Sequence, residues 1–222
     1  MALVITGSTA RVNQGLTTNF AQTTWSFWIR KDGVGSGNNY LFNKSTNANS
    51  IRLQAFFQLN QDWTTTDGQW NATGFSPVLG TLYHMVVTYD GSLTSNVPKF
   101  YVDGVLLATS TITTPVGTRT GTGSHTFFNN AGGTQGWQLA IEDLRIYSRI
   151  LSDEEVTQVY NARGLDGIIN NLELRWCFDA KTSGATTVVN DHSLNRRNGS
   201  IVGATLTDAT SPFGLKFMQE VA

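Results

Sequence analysis

The residues that could do chemistry in this chain are few and scattered. Glu142 and Asp143 stand side by side, and Asp153, Glu154 and Glu155 follow a little further on. Hydrolysis of a glycosidic bond with retention needs two carboxyl groups about 5 to 5.5 Å apart on one site. Neighbouring strand positions point to opposite faces unless a bulge re-aims one of them, and acidic residues that open a helix suit its dipole. No hydrolytic pair is therefore specified. There is no G-x-S-x-G, no Cys-His pairing, no phosphate loop and no zinc spacing. His84 has no histidine or cysteine within ligand spacing and reads as a packed strand histidine, while the single cysteine, Cys177, reads as a small strand residue that excludes any intrachain disulfide. The aromatic residues are more suggestive. Trp63 and Trp70 lie in the polar, turn-rich segment NQDWTTTDGQWNATGF, and Tyr40 follows a Gly/Asn-rich loop. Such rings either stack on the apolar face of a sugar or fold back over the end of the fold.

The elements that must position these residues are mostly strands. Trp137, Leu139 and Ile141 alternate, and Leu144 and Ile146 continue with the parity shifted by one, so a β-bulge is expected at Glu142-Asp143. Ser152 to Glu155 reads as a capping box with Leu151 and Val156 as a hydrophobic staple. Val156, Val159 and Tyr160 then give one short helix over about residues 153–162, with Gly164 as its left-handed stop. Upstream, Trp25, Phe27 and Ile29 share one face of a strand and Ser26, Trp28 and Arg30 the other. Tyr40-Leu41-Phe42 is a short strand, Ile51 to Leu59 keeps strict period two and reads as one strand, and Leu82 to Asp90 is another. Asp103-Gly104 between alternating segments signals a type I′ hairpin, and residues 109–126 read as a short strand with exposed loops.

Composition narrows the function classes. Charged residues make up 14 % of the chain, against about 25 % in typical domains. Net charge is −1 and the two basic pairs, Arg30-Lys31 and Arg196-Arg197, form no patch, so neither nucleic acid nor an anionic membrane is an expected partner. The amino terminus lacks a basic segment and a long apolar run, so a protein made in the cytoplasm without a signal peptide is expected.

The segment E-D-L-R-I-Y-S-R-x-L-S-D-E-E at 142–155 resembles the laminin-G-like jelly rolls of the concanavalin A superfamily, as do L-Y-H-M-V-V-T-Y-D-G at 82–91 and F-Y-V-D-G-V-L at 100–106. The resemblance implies a jelly-roll β-sandwich. The superfamily's β-glucanases carry E-x-D-x-E on one strand, and that pattern is absent here. Relatives often hold a structural calcium ion between an Asp/Asn loop and the acidic pair of the last strand. Carried over, the ligands would be Asp191, Asn195 and Asn198 with Glu142 or Asp143, although Leu194 and Arg196-Arg197 depart from the family's loop. The amphipathic text L-E-L-R-W-C-F-D from Leu172 resembles the segment that opens such units, yet here it closes the chain, and Pro212 to Phe217 resembles the family's next strand. Residues 1–169 then form the laminin-G-like body. Residues 170–222 complete the same sandwich as a circular permutation, pair with a neighbouring copy, or begin a second unit.

Three functions are consistent with these readings. The leading expectation is a non-catalytic structural or adhesive module of a bacteriophage particle, such as a capsid decoration or tail component, released by lysis. The second is a free lectin that binds glycan through Trp63, Trp70 or Tyr40, and the third a β-glucan hydrolase with an unusual carboxylate pair.

Overall fold

The computed structural model describes residues 3–5, 9–15, 19–33, 35, 38–44, 49–121, 123–136, 138–178 and 188–203. In chain order the strands are β1 (Leu3–Ile5), β2 (Arg11–Gln14), β3 (Gln22–Lys31), β4 (Tyr40–Lys44), β5 (Ser50–Leu53), β6 (Phe57–Gln61), β7 (Gly68–Ala72) and β8 (Leu82–Asp90). They continue as β9 (Lys99–Val102), β10 (Val105–Leu107), β11 (Thr109–Thr113), β12 (His125–Phe127) and β13 (Leu139–Tyr147), then helix α1 (Asp153–Ala162), β14 (Leu172–Trp176), β15 (Val188–Val189) and β16 (Gly199–Val202). They form two antiparallel sheets. One has seven strands in the order β1-β13-β3-β8-β9-β10 with β14 also on β13, and the other has nine in the order β11-β7-β6-β5-β4-β12-β2-β16-β15. The expected jelly-roll sandwich with one helix is present.

The core lies between the sheets and is built by strict alternation. From β3 it takes Trp25, Phe27 and Ile29, from β8 Met85, Val87 and Tyr89, and from β13 Leu139, Ile141, Leu144 and Ile146. The shift of parity in β13 is the expected bulge: its register against β3 jumps between Glu142 and Arg145, and Asp143 takes φ +47°. Helix α1 packs on the other side of the seven-stranded sheet, where Leu151, Val156 and Val159 join Val86, Tyr101 and Tyr147. Its capping box is formed, with the Glu155 N–H donating to Ser152 Oγ at 3.2 Å and the Ser152 N–H to Glu155 Oε2 at 2.9 Å. The left-handed turn begins at Arg163, one residue before the expected Gly164, and both have positive φ.

Two local expectations need correction. Ile51 to Leu59 is not one strand but the hairpin β5–β6, turned at residues 54–56. The period survives the turn because Leu53 pairs with Phe57 and Ile51 with Leu59, which leaves all four on the core side. The segment from Asn60 to Phe75 is not a loop throughout, since it holds the end of β6 and all of β7. The expected strand at residues 212–217 and the start of the strand at Trp137 lie outside the described residues.

The carboxyl-terminal strands pair within the chain. β14 lies beside β13, with Arg175 opposite Arg145, and β16 lies beside β2, with Ile201 opposite Val12. Trp176 is fully buried, with its ring 4.8 Å from Phe127 and its indole N–H donating to the Arg197 carbonyl at 3.2 Å. Gly199 permits this approach, because a Cβ there would stand 2.7 Å from the Trp176 ring. Trp176→Ala should therefore cost about 3–5 kcal/mol, read as a shift of the urea midpoint within a single transition. A loss below about 1 kcal/mol, within the range of surface substitutions, would show that this segment is not part of the core.

Candidate functional site

The residues expected to stack on sugar are not available to do so. Trp63 is 6 % exposed, and Trp70 and Tyr40 are 1 % exposed. Trp70 sits on the inward face of β7, 5.0 Å from the Tyr89 ring, and Trp63 joins the same core cluster. Tyr40 points away from the core cluster but is covered. Arg52 lies over its ring at 5.0 Å, and its hydroxyl accepts from Asn38 Nδ2 at 3.2 Å. Burial of the indoles removes apolar area that polar loops could not shield from water, which is why they turn inward from a polar segment.

The carried-over calcium ligands do not fit a cation. Both oxygens of Asp191 are taken by donors: the Arg175 and Ser193 N–H groups on Oδ1 at 2.8 and 2.9 Å, and the Ser193 hydroxyl and Arg197 N–H on Oδ2 at 2.7 and 2.6 Å. Asn198 Oδ1 accepts from the Asp191 N–H at 2.9 Å, and Asn195 Nδ2 donates to the Leu172 and Glu173 carbonyls at 3.2 and 3.3 Å. Asp143 is brought near this loop by Arg175, whose Nε donates to Asp143 Oδ1 at 2.8 Å. Arg145 binds the same carboxylate and also holds Asp166 at 2.7 Å. Guanidinium groups thus stand where a metal would have to stand, and among the described residues no three His, Cys, Asp or Glu side chains cluster to hold one. Glu142, fully buried, pairs in register with Trp28 and not with the Asp191 loop.

Burial works to raise the Asp143 carboxyl, but the Arg145 and Arg175 charges outweigh it and hold it at about 2. Its stabilising effect is present above the unfolded carboxylate range, near 4, and is lost as pH falls from there towards 2. Asp143→Ala should cost about 3–5 kcal/mol near neutrality because it leaves Arg145 buried beside a missing partner. That deficit should close in acid titration of both proteins below about pH 4. A chelator should shift the melting temperature by less than about 1 °C if, as this geometry argues, guanidinium groups take the place of an ion. A large fall would restore the calcium site.

Beneath α1 a serine and a histidine meet, with Ser26 Oγ 2.9 Å from His84 Nε2. Burial, reinforced by the Arg145 charge, lowers His84 to about 3. The pair is sealed by Trp28 and Tyr160, whose rings stack at 5.7 Å. No substrate reaches it, which agrees with a packed strand histidine.

The arrangement with a surface is the outer side of the nine-stranded sheet. Thr113, Gln69, Asn60, Ser50, Asn43, Thr126, Asn13 and Ser200 stand opposite one another on successive strands, from β11 to β16. A second row, Ser110, Asn71, Gln58, Arg52 and Tyr40, runs parallel to it. Between them lies a core row, Trp70, Leu59, Ile51, Phe42, Phe127, Val12 and Ile201, facing the other way. The rows are internally bonded: Gln58 Nε2 donates to Asn71 Oδ1 at 2.8 Å, Asn60 Nδ2 to Gln58 Oε1 at 3.0 Å, and Arg52 Nε to Ser50 Oγ at 3.1 Å. Ser50, Asn43, Asn60 and Thr126 are buried, whereas Gln69, Asn71, Gln58 and Arg52 are only half-buried. The sequence showed the inward alternation of Ile51 to Leu59, but not where β7, β11 and β12 run, nor the register that aligns them.

With the geometry in place, comparison with known proteins is consistent. Residues 6–157 match the concanavalin A-like lectin/glucanases superfamily, and the chain belongs to it. A protein of Bacteroides ovatus ATCC 8483, whose carbohydrate-binding assignment is provisional, superposes with a TM-score of 0.66 at 16 % identity, over 92 % of this chain and 58 % of its own. The binding domain of Paraclostridial Mosquitocidal Protein 1 superposes with a TM-score of 0.50 at 16 % identity, over 85 % of this chain and 51 % of its own. The chain therefore spans a little over half of each, and at such identities the likeness is one of fold. Among curated protein sequences no match is found.

Proposed function

We propose that this chain is a non-catalytic glycan-binding module that engages a sugar chain through Gln69, Asn71, Gln58 and Arg52. The observation that carries this reading is the in-register field of amide and hydroxyl groups, with the single guanidinium of Arg52, on the outer sheet face. Amides offer a donor and an acceptor on one rigid plane, and adjacent strands repeat that plane about every 4.8 Å, a spacing comparable to the rise of a sugar ring. The two rows contain no carboxylate, so a general acid or base is not at hand there, which favours binding over hydrolysis. The provisional assignment of the Bacteroides protein agrees with this reading. A structural or adhesive role on a bacteriophage particle, with a capsid protein or a second copy as partner, is a separate reading that no feature of the described residues singles out. Among those residues no helix is long and apolar enough to cross a membrane.

A glycan panel followed by calorimetry tests the proposal. Each lost hydrogen bond is worth about 1 kcal/mol, so the pair Gln58→Ala and Asn71→Ala should weaken binding roughly tenfold or more in a protein that still unfolds in one cooperative transition. Unchanged affinity in that double variant, or no binding to any glycan, would overturn it.

A further inference from the structure

Nearly all the aromatic rings of this chain are covered by other groups. Among the described residues Phe56, at 51 %, is the one phenylalanine, tyrosine or tryptophan more than half exposed. It stands in the turn at residues 54–56 between β5 and β6, where the Gln54 N–H donates to the Phe56 carbonyl at 3.2 Å. Turns favour glycine, proline, asparagine, aspartate and serine, and the core side of this hairpin is already filled by Leu53 and Phe57. Neither the turn nor the core accounts for a phenylalanine here.

Phe56 keeps the parity of Gln58 and Asn60, the outward residues of β6, and Gln54 keeps that of Arg52 and Ser50 on β5. Two residues advance a strand by about 7 Å, which puts Phe56 just beyond Gln58 at the margin of the second polar row. Gln54 is held on that side as well. Its Nε2 donates to Asn38 Oδ1 at 2.9 Å, and Asn38 Nδ2 donates to Gln135 Oε1 at 2.8 Å and to the Tyr40 hydroxyl at 3.2 Å. Tyr40 in turn stands opposite Arg52 and ends the second row. Segments remote in sequence thus fix an amide beside an exposed ring, at one edge of the polar face, and little ordering remains to be done when a ligand arrives.

We propose that Phe56 is the stacking platform of the outer-face site and selects flat pyranose chains, an assignment that rests on the glycan-binding function proposed above. In a pyranose whose hydroxyls are all equatorial, the axial C–H bonds leave both faces apolar, and the electron-rich face of an aromatic ring attracts them. The edges of the same sugar carry its hydroxyls, which the amides of Gln54, Gln58 and Asn71 can meet as donors and acceptors. Ring and amides together fit an extended chain of β-linked glucopyranose or xylopyranose, of the cellulose or xylan type. A furanose chain, puckered and without such a face, fits less well.

Calorimetry and proton resonance with cellohexaose, xylohexaose and linear arabinohexaose as probes test this. At least one of the first two should bind more tightly than the arabinan fragment, and its axial C–H protons should move upfield in the complex, under the ring current of Phe56. Phe56→Ala should weaken that binding roughly five- to tenfold and abolish the upfield shift, while Phe56→Trp keeps both. Because the side chain is exposed, Phe56→Ala should leave the urea midpoint in place. Unchanged affinity in Phe56→Ala, with loss in the variant carrying Gln58→Ala and Asn71→Ala, would overturn the platform and leave the glycan-binding function standing. Tighter binding of arabinohexaose than of either pyranose chain would overturn the selection of flat pyranoses. Binding of no glycan at all would overturn both the platform and the function it rests on. Should Phe56→Ala fail to fold, the presence or absence of the upfield shift in the unaltered protein decides the matter.

Discussion

The structure depends on a buried charge network behind the bulge of β13. Asp143 can reach both Arg145 and Arg175 only because the bulge places it in a left-handed conformation and breaks the register with β3. Arg145 is almost wholly buried and would be intolerable without Asp143 and Asp166. Through these contacts the network ties β13 to β14, to the segment after α1 and, by the Arg175 backbone, to the Asp191 loop. The junction between β13, β14 and the Asp191 loop is closed by side chains of the chain itself.

With that junction secured, the sheets differ in what they do with their outer sides. The seven-stranded sheet covers its outer side with α1 and the aromatic cluster around Trp28 and Tyr160. The nine-stranded sheet presents amides and hydroxyls in rows.

Much of the scaffold was legible in the chain. The bulge at Glu142-Asp143, the capping box at Ser152, the hairpin at Asp103-Gly104 and the sidedness of Trp25, Phe27 and Ile29 all follow from spacing of two or three to four residues, because each depends on neighbours along the backbone. The turn inside Ile51 to Leu59 escaped detection for the converse reason: a hairpin that returns its residues to the same face leaves period two intact. Trp63 and Trp70 misled because a polar neighbourhood in sequence says nothing of where a large ring goes once two sheets are available to cover it.

By itself, the sequence determined the helix and the inner faces of the strands it marked, which are set by local periodicity and capping, while the jelly-roll class came from its resemblance to a known family. Only the tertiary structure decided which polar residues share a surface and which carboxylates are already spent on arginines. Asn60, Asn43 and Asn13 lie far apart in the chain and meet in one row through strand register. Asp143 and Arg175 come from different strands, and whether that carboxylate meets a metal or a guanidinium depends on a distance of a few ångströms across the sheet. Such distances are products of packing between remote segments, and no spacing along a chain encodes them directly.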